Sequence, residues 1–409
     1  MKGFFQVKTL DEVMELIKGF SSVDTEKVPI SRVSSRILAE NIHADDDMPV
    51  FRRSTMDGYA VVSSSTFGAS DSSPAWLDLK GSIAMGEIPE FDLKPGQAAR
   101  ISTGGMLPKG ADSVVMIEHT EMVGDSSVEI YKSVAPLQHV IDRAEDFKKD
   151  IKVLEKGALI RPQEAGLAAA FGLSSLKVFK KPKIAVISTG DEIVPVNCTP
   201  GIGKIRDINS YTLAGLIRDA GAVPVLYGIV KDDPEALFAA CKKAVEETNM
   251  VLLSGGSSVG VRDFTVEVLS SIKDTEILVH GISISPGKPT ILGRSGNKAV
   301  WGLPGHVSSA MVVFKIVVLP FIKRLKGCSD YYSSGTKIPV KLMRNIASAQ
   351  GRQDFVRVRF VKKDKELFAD PVLGKSGLIR TMVLADGLLE IGENQEGVEK
   401  NTIVEIIPM

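Results

Sequence analysis

The stretch Met250-Val251-Leu252-Leu253-Ser254-Gly255-Gly256-Ser257-Ser258-Val259-Gly260-Val261-Arg262-Asp263-Phe264 decides the fold. An apolar run stops at Ser254-Gly255-Gly256, small residues continue to Gly260, and Asp263 heads an apolar-periodic segment, Phe264 to Ile272. This is the pattern of a buried strand, a tight glycine turn and a new helix. Such a turn leaves unpaired backbone N–H groups pointing at one spot, backed by the positive end of the helix dipole. The reading is an oxyanion cradle; the alternative is a turn that only joins two elements.

Working outward, Ile184–Ile187 reads as a strand, Tyr211–Ala220 as a helix beginning near Asn209, and Val223–Val230 as a second strand. Asp233-Pro234 supplies a cap and a first-turn proline to a helix running to Glu247. Strand–helix alternation at this spacing predicts a parallel sheet covered on both faces, with ligands beyond the carboxyl ends of the strands. Thr189-Gly190-Asp191-Glu192 and Ser254–Gly260 both lie at such ends, so they converge on one crevice.

The flanking regions differ in rhythm. Residues 7–20 carry helical spacing with Thr9 or Asp11 as cap, and Arg36 to Glu40 reads as a helix. Residues 50–146 hold short apolar runs broken by Pro, Gly, Ser and Asp, which predicts a compact β-rich module. Ala310–Ile322 reads as a buried helix. Beyond Cys328, the segments Lys337–Leu342, Phe355–Val361, Leu388–Ile391 and Thr402–Ile407 predict a closing β-barrel or sandwich.

Composition sets limits on partners. The chain has 409 residues, 44% of them hydrophobic, and its mean hydropathy is slightly positive, so two to four domains with real cores are expected. Lys+Arg and Asp+Glu balance at 50 each, which argues against nucleic acid or an anionic membrane as partner. Three dispersed cysteines give no disulfide framework and fit a reducing cytoplasm, and the amino terminus lacks a signal core. None of the five histidines forms an i, i+4 pair, so any metal should be a hard cation on carboxylates.

Asp191, Glu192, Asp207 and Asp263 all fall near strand ends. Carboxylates beside an anion-binding turn would repel the anion unless a cation lies between, and Mg²⁺ uses one or two carboxylates with substrate phosphates and waters. The alternative is that Asp207 and Asp263 merely cap helices. Two rigid turns follow, Ser285-Pro286-Gly287-Lys288-Pro289 and Gly302-Leu303-Pro304-Gly305-His306. Lys288 offers a point charge for a phosphate, and the second turn opens a helix near Val307 with further free N–H groups. In the β-rich module, Ser54–Ala60 is a polar turn ahead of a strand, and Ser102-Thr103-Gly104-Gly105 is another glycine turn beside a hydroxyl. Glu145-Asp146 is an acidic pair.

Taken in order, these stretches resemble the molybdopterin molybdenumtransferases, the MoeA and gephyrin E-domain family, essentially end to end. The matching segments are Ser54–Ala60, Arg100–Gly105, Glu145-Asp146, Ser188–Glu192, Asp207-x-Asn209, Ser254–Gly260 with Asp263, Pro286–Pro289, Gly302–Gly305 and Gly351-Arg352. The resemblance implies a multidomain fold: a three-layer α/β/α domain like that of the pterin-adenylylating MogA (182–328), a β-rich insertion module (46–146), an elongated linker and dimerisation domain (1–45 with 147–181) and a C-terminal β-barrel (329–409). It further implies a homodimer whose cleft lies between the α/β domain and the β-rich module of the other subunit. The implied reaction takes adenylylated molybdopterin and molybdate and releases AMP, with a MogA-type adenylyltransferase as the upstream partner.

On that resemblance Glu192, Asp207 and Asp263 hold Mg²⁺, aided by Asp57 and Asp146. Thr103, Gly104, Ser254, Gly255, Gly256, Ser258, Pro304 and Gly305 contact the substrate, and Lys288, Arg352 and Ser376 contact molybdate. The chain departs from the family pattern at Ser285 (usually Lys), Ile141 (usually Arg), Ala144 (usually Gly), and His306-Val307 (usually Asn-Pro). Other readings stay open: a tungstate-inserting enzyme, a paralogue that binds pterin or a partner without turnover, and pterin adenylylation. The last rests on Gly260–Thr265, which resembles the RDxT stretch of the adenylylating relatives.

Overall fold

The computed structural model describes residues 7–255, 259–332 and 335–409, with side chains resuming at Thr265 in the helix that follows the glycine turn. The chain forms two compact units: Met1–Glu40 with Lys156–Gly166 and Leu173–Met409, and Asn41–Glu155 with Leu167–Gly172.

The larger unit is built on a six-stranded sheet in the order Val223–Val230, Lys183–Thr189, Met250–Ser254, Lys298–Leu303, Ile291–Ser295, Thr275–His280. The first four strands are parallel. Ile184 to Ile187 and Met250 to Leu252 are each fully buried, as strands covered on both faces must be. Alternate side chains point to opposite faces. Ile184, Val186, Leu252 and Trp301 join Leu213, Ile217, Phe314 and Phe321 in one core. Ala185, Ile187, Val251 and Leu253 join Leu237, Cys241 and Leu269 in the other. Helices Asn209–Asp219 and Val307–Val313 thus cover one face, and Pro234–Glu247 and Val259–Ser271 the other. The three-layer α/β/α arrangement follows directly from that alternation.

The strand–helix rhythm predicts a parallel sheet, but the sheet is mixed. Ile291–Ser295 and Lys298–Leu303 are antiparallel, and Thr275–His280 pairs antiparallel at the edge. The turn between the first two is Gly296-Asn297, with Gly296 at φ +56°. A two-residue turn of this chemistry makes a hairpin, not a crossover.

The carboxyl-terminal strands Gln353–Lys363, Glu366–Pro371, Ile338–Leu342, Ile403–Pro408 and Gly387–Ile391 pair in that order, and the last returns to the first, closing a five-stranded barrel. The strand Glu366–Pro371 has no counterpart in the sequence reading. Ile284–Ser285 pairs in parallel with Gln353-Asp354, so the loop that carries Lys288 is hydrogen-bonded into the barrel wall.

At the amino terminus the helix Leu10–Glu15 starts as its spacing predicts, with Thr9 and Glu12 forming a reciprocal capping box. The helix expected over Arg36 to Glu40 is absent. Ile37, Leu38 and Ala39 are consecutive and all buried, and Ile37 and Leu38 bridge to Leu159 and Val178 as extended chain. A helix would have turned one of the three to solvent.

The smaller unit contains a six-stranded sheet in the order Ser113–Met116, Gly58–Val61, Gln97–Ile101, Ala75–Ile83, Ser127–Ile130, Thr120–Val123, as the turn-rich composition predicts. Gly58 marks a close approach of two strands, where a Cβ would lie 1.9 Å from the Val115 carbonyl oxygen. Gly58→Ala is therefore expected to destabilise this unit by about 2–4 kcal/mol. The check is a lower unfolding midpoint in thermal denaturation; an unchanged midpoint would show that the strands can part at no cost.

Candidate functional site

In the larger unit the parallel strands stop in register, Ser188 opposite Ser254 and Ser254 opposite Leu303. Three turns therefore leave the sheet side by side. Gly255 sits at φ +139°, and a Cβ there would lie 2.0 Å from the Thr189 carbonyl oxygen, so only glycine brings these two turns together. Asn209 closes the arrangement. Its Nδ2 donates to Ser254 Oγ at 2.6 Å and to the Gly305 carbonyl at 2.8 Å. Ser254, 1% exposed, thereby fixes the second turn to the third.

Asp207 is 8% exposed, and its Oδ1 accepts from Ser188 Oγ at 3.1 Å and from the Ser210 amide at 3.0 Å. That is the capping role recognised in the sequence, and it leaves Oδ2 outside those bonds. Glu192 is exposed on the neighbouring turn, and its carbonyl accepts from the Ile205 amide at 2.8 Å. Gly256 and Ser258 lie outside the described residues, as does the side chain of Asp263. The helix already runs from Val259, so Asp263 falls inside it and not at its head.

Beside these turns is a cleft of about 550 Å³ between the α/β sheet and the barrel. Lys288, Pro304, Arg352 and Ser376 line it as expected, and so do His306, Asp354 and Arg357. Lys288 is exposed, and its ammonium makes no hydrogen bond or ion pair among the described residues. Arg352 is neutralised, its Nε lying 2.9 Å from Asp354 Oδ1, and Asp354 is 7% exposed and also accepts from Ser348. Ser376 Oγ lies 2.8 Å from His306 Nδ1, and the Ser376 carbonyl accepts from the Ser308 amide at 3.1 Å.

Arg357 is the residue that sequence reasoning missed. Its Nη1 donates to Ser308 Oγ (2.7 Å) and Thr381 Oγ1 (2.8 Å), and its Nη2 to the Gly374 carbonyl (2.9 Å). It thus clamps the loop bearing Ser376 against the start of the helix Val307–Val313. It has no carboxylate partner among these bonds, its Nε is buried without a partner among the described residues, and burial lowers its proton affinity below that of an ordinary arginine. A guanidinium nonetheless stays charged. Its position on the strand is the one signal in the sequence: it shares with Phe355 the face opposite the barrel core, which Val356, Val358 and Phe360 fill.

In the smaller unit Asp57 is exposed and its Oδ1 accepts from the Thr103 amide (2.8 Å) and hydroxyl (3.3 Å). The Gly104 amide donates to the Ser54 carbonyl at 2.8 Å. Two glycine-flanked turns thus form one polar corner from Asp57, Thr103 and Gly104. Asp146 is exposed, and its amide donates to the Met48 carbonyl at 3.1 Å. Ile141 pairs with Arg53 on a short strand. Arg143, a candidate replacement for the cation missing at Ile141, is engaged elsewhere: its Nε donates to Asp47 at 2.7 Å. The Lys149 amide and then Arg143 hold the Asp47 carboxyl below its usual range. Arg52 and then the Arg143 amide do the same for Asp142.

A doubly covered α/β sheet whose strand ends lie beside a cation-bearing cleft under a β-barrel defines a multidomain α/β and β protein. Three family descriptions match nearly the whole chain: the MoeA N-terminal region (domain I and II) over 8–172, a probable molybdopterin binding domain over 185–324, and the MoeA C-terminal region (domain IV) over 339–409. A putative molybdopterin biosynthesis protein of Methanocaldococcus jannaschii is 39% identical over 389 residues, 93% of this chain and 91% of that protein. The molybdopterin molybdenumtransferase of Bacillus subtilis is 30% identical over 403 residues, 97% and 93% of the two chains. A crystal structure of a molybdopterin biosynthesis MoeA protein from Pyrococcus horikoshii superposes with TM-score 0.85 at 29% identity, covering 99% of this chain and 100% of that one. The chain belongs to the molybdopterin molybdenumtransferase (MoeA) family.

Because Asn209 satisfies two groups on separate turns, Asn209→Ala should cost about 1–3 kcal/mol of stability. It should also weaken substrate binding at least tenfold by letting the turns drift. Chemical denaturation and titration of the substrate check this; unchanged affinity would show that the turns hold their spacing without the amide.

Proposed function

We propose that this chain inserts molybdate into adenylylated molybdopterin and releases AMP. The observation that carries this reading is the convergence of Lys288, Arg357 and the His306–Ser376 pair on one cleft beside the strand-end turns. Lys288 and Arg357 bring positive charge to a tetrahedral dianion. The strand-end turns beside the cleft are the place for the pyrophosphate, as ligands of parallel α/β sheets bind beyond the carboxyl ends of the strands. No catalytic cysteine is called for, because the dithiolene sulfurs of the pterin supply the ligands to molybdenum.

The residues present fit Mg²⁺ arriving with its phosphates better than a preformed cage. Among the described residues no group of three His, Cys, Asp or Glu is arranged to hold a metal alone. Glu192 and the Oδ2 of Asp207 are two carboxylate positions, and Mg²⁺ needs only one or two beside phosphates and waters. When bound, it would polarise the phosphoanhydride as that bond breaks. Asp207 Oδ1, held by Ser188 and Ser210, keeps its carboxylate in one orientation.

The homodimer, the MogA-type adenylyltransferase as source of substrate, a cytoplasmic location and the four-domain division set out above belong to the same proposal. Among the described residues no helix is long and apolar enough to cross a membrane. A second reading, binding of the pterin without turnover, is favoured by the neutralisation of Arg352 by Asp354 and by Ser285 and Ile141 in place of family cations.

With purified protein and adenylylated molybdopterin, AMP release should require both molybdate and Mg²⁺. Lys288→Ala should raise the half-saturating molybdate concentration about ten- to a hundredfold, the loss of one charge-assisted contact. AMP release indifferent to molybdate rejects the proposal, and tight pterin binding without AMP release supports the second reading. Tungstate in place of molybdate tests which oxyanion is preferred.

A further inference from the structure

We infer that His306 couples oxyanion binding in the cleft to uptake of a proton, so that the dianion and the imidazolium form together. The inference deepens the proposed function and rests on that cleft being its oxyanion site.

The argument begins with the 2.8 Å contact between His306 Nδ1 and Ser376 Oγ. A neutral imidazole carries one N–H and one lone pair. With the proton on Nε2, Nδ1 must accept the Ser376 hydroxyl hydrogen, and the serine has none left for an anion. With the proton on Nδ1, the serine hydroxyl is released, but Nε2 then presents a lone pair that repels an anion. Only the imidazolium, with N–H at both nitrogens, frees the serine hydroxyl as a donor and keeps Nε2 as a second donor bearing positive charge. The proton comes from solvent, and no bond to the anion forms or breaks.

The surroundings favour this coupling. The charged groups lining the same cleft are Lys288 and Arg352 with Asp354, and Arg357. Lys375 adjoins Ser376 in sequence but is exposed and does not line the cleft. Arg352 and Asp354 offset each other at 2.9 Å, which leaves Lys288 and Arg357 as net positive charge. A dianion held among these groups favours the charged form of the ring, so the proton is taken up with it.

Binding that raises the proton affinity of His306 is strongest below the midpoint of the anion-free protein. It is lost as pH rises through the midpoint of the bound protein. The test uses the full chain with ¹³C-labelled histidine, following each imidazole by NMR from pH 5 to 9, alone and with millimolar molybdate or sulfate. The resonance missing in His306→Asn identifies residue 306, and the other four histidines report the fold. Its midpoint should rise by about one pH unit with the anion, corresponding to roughly tenfold tighter binding to the protonated form. Ser376→Ala should shrink the shift, while the other four midpoints stay fixed.

A midpoint that neither anion moves overturns the inference. A shift with sulfate but none with molybdate supports the proton coupling and counts against molybdate as the substrate. A shift with molybdate alone supports both.

Discussion

Three parallel strands end level with one another, and the carboxamide of Asn209 ties the turns that leave the second and third of them. Much of the rest depends on that bond pair. Ser254 closes one strand, and the Gly305 carbonyl belongs to the turn that follows the next. Fixing them with a neutral amide joins the two strand ends without spending any of the cleft's positive charge. The same economy appears at Asp207, whose Oδ1 is occupied by Ser188 and the Ser210 amide. The scaffold is held by neutral donors and one buried carboxylate, and the cations face the cleft.

Charge, more than shape, distinguishes the arginines of the cleft from one another. Arg352, at a family-matching position, is offset by the neighbouring Asp354, as Arg143 of the smaller unit is by Asp47. A paired guanidinium contributes less to an incoming anion than a free one, because part of its field is cancelled within 3 Å. Arg357 escapes this fate: its partners are two hydroxyls and a carbonyl, dipoles that orient the group without neutralising it.

The sequence made the α/β part readable because buried parallel strands leave unbroken apolar runs and helix starts leave caps. The strand Val223–Val230 and the capped helix Pro234–Glu247 lie where the residues indicate. Arg36–Glu40 misled because a short apolar run looks the same in a helix and in a buried extended segment. The hairpin at Gly296-Asn297 was there to be seen but was masked by the expectation of a crossover. Site geometry was less legible. Lys288, Arg352 and Ser376 could be placed in one cleft through resemblance, but nothing in a linear sequence shows that Asp354 lies against Arg352, or that Arg357 spans from a barrel strand to Ser308. Those contacts exist only once the barrel packs against the helical layer.

The two-residue pairing of Ile284-Ser285 with Gln353-Asp354 changes how this cleft can open. Its lysine-bearing wall and its arginine-bearing wall share main-chain hydrogen bonds, while the Lys288 carbonyl accepts from the Ile282 amide on the sheet side and Arg357 holds Ser308 at the start of the helix Val307–Val313. The barrel is therefore laced to the α/β layer at more than one place, and it cannot swing away as a free lid without breaking bonds on both walls of the cleft.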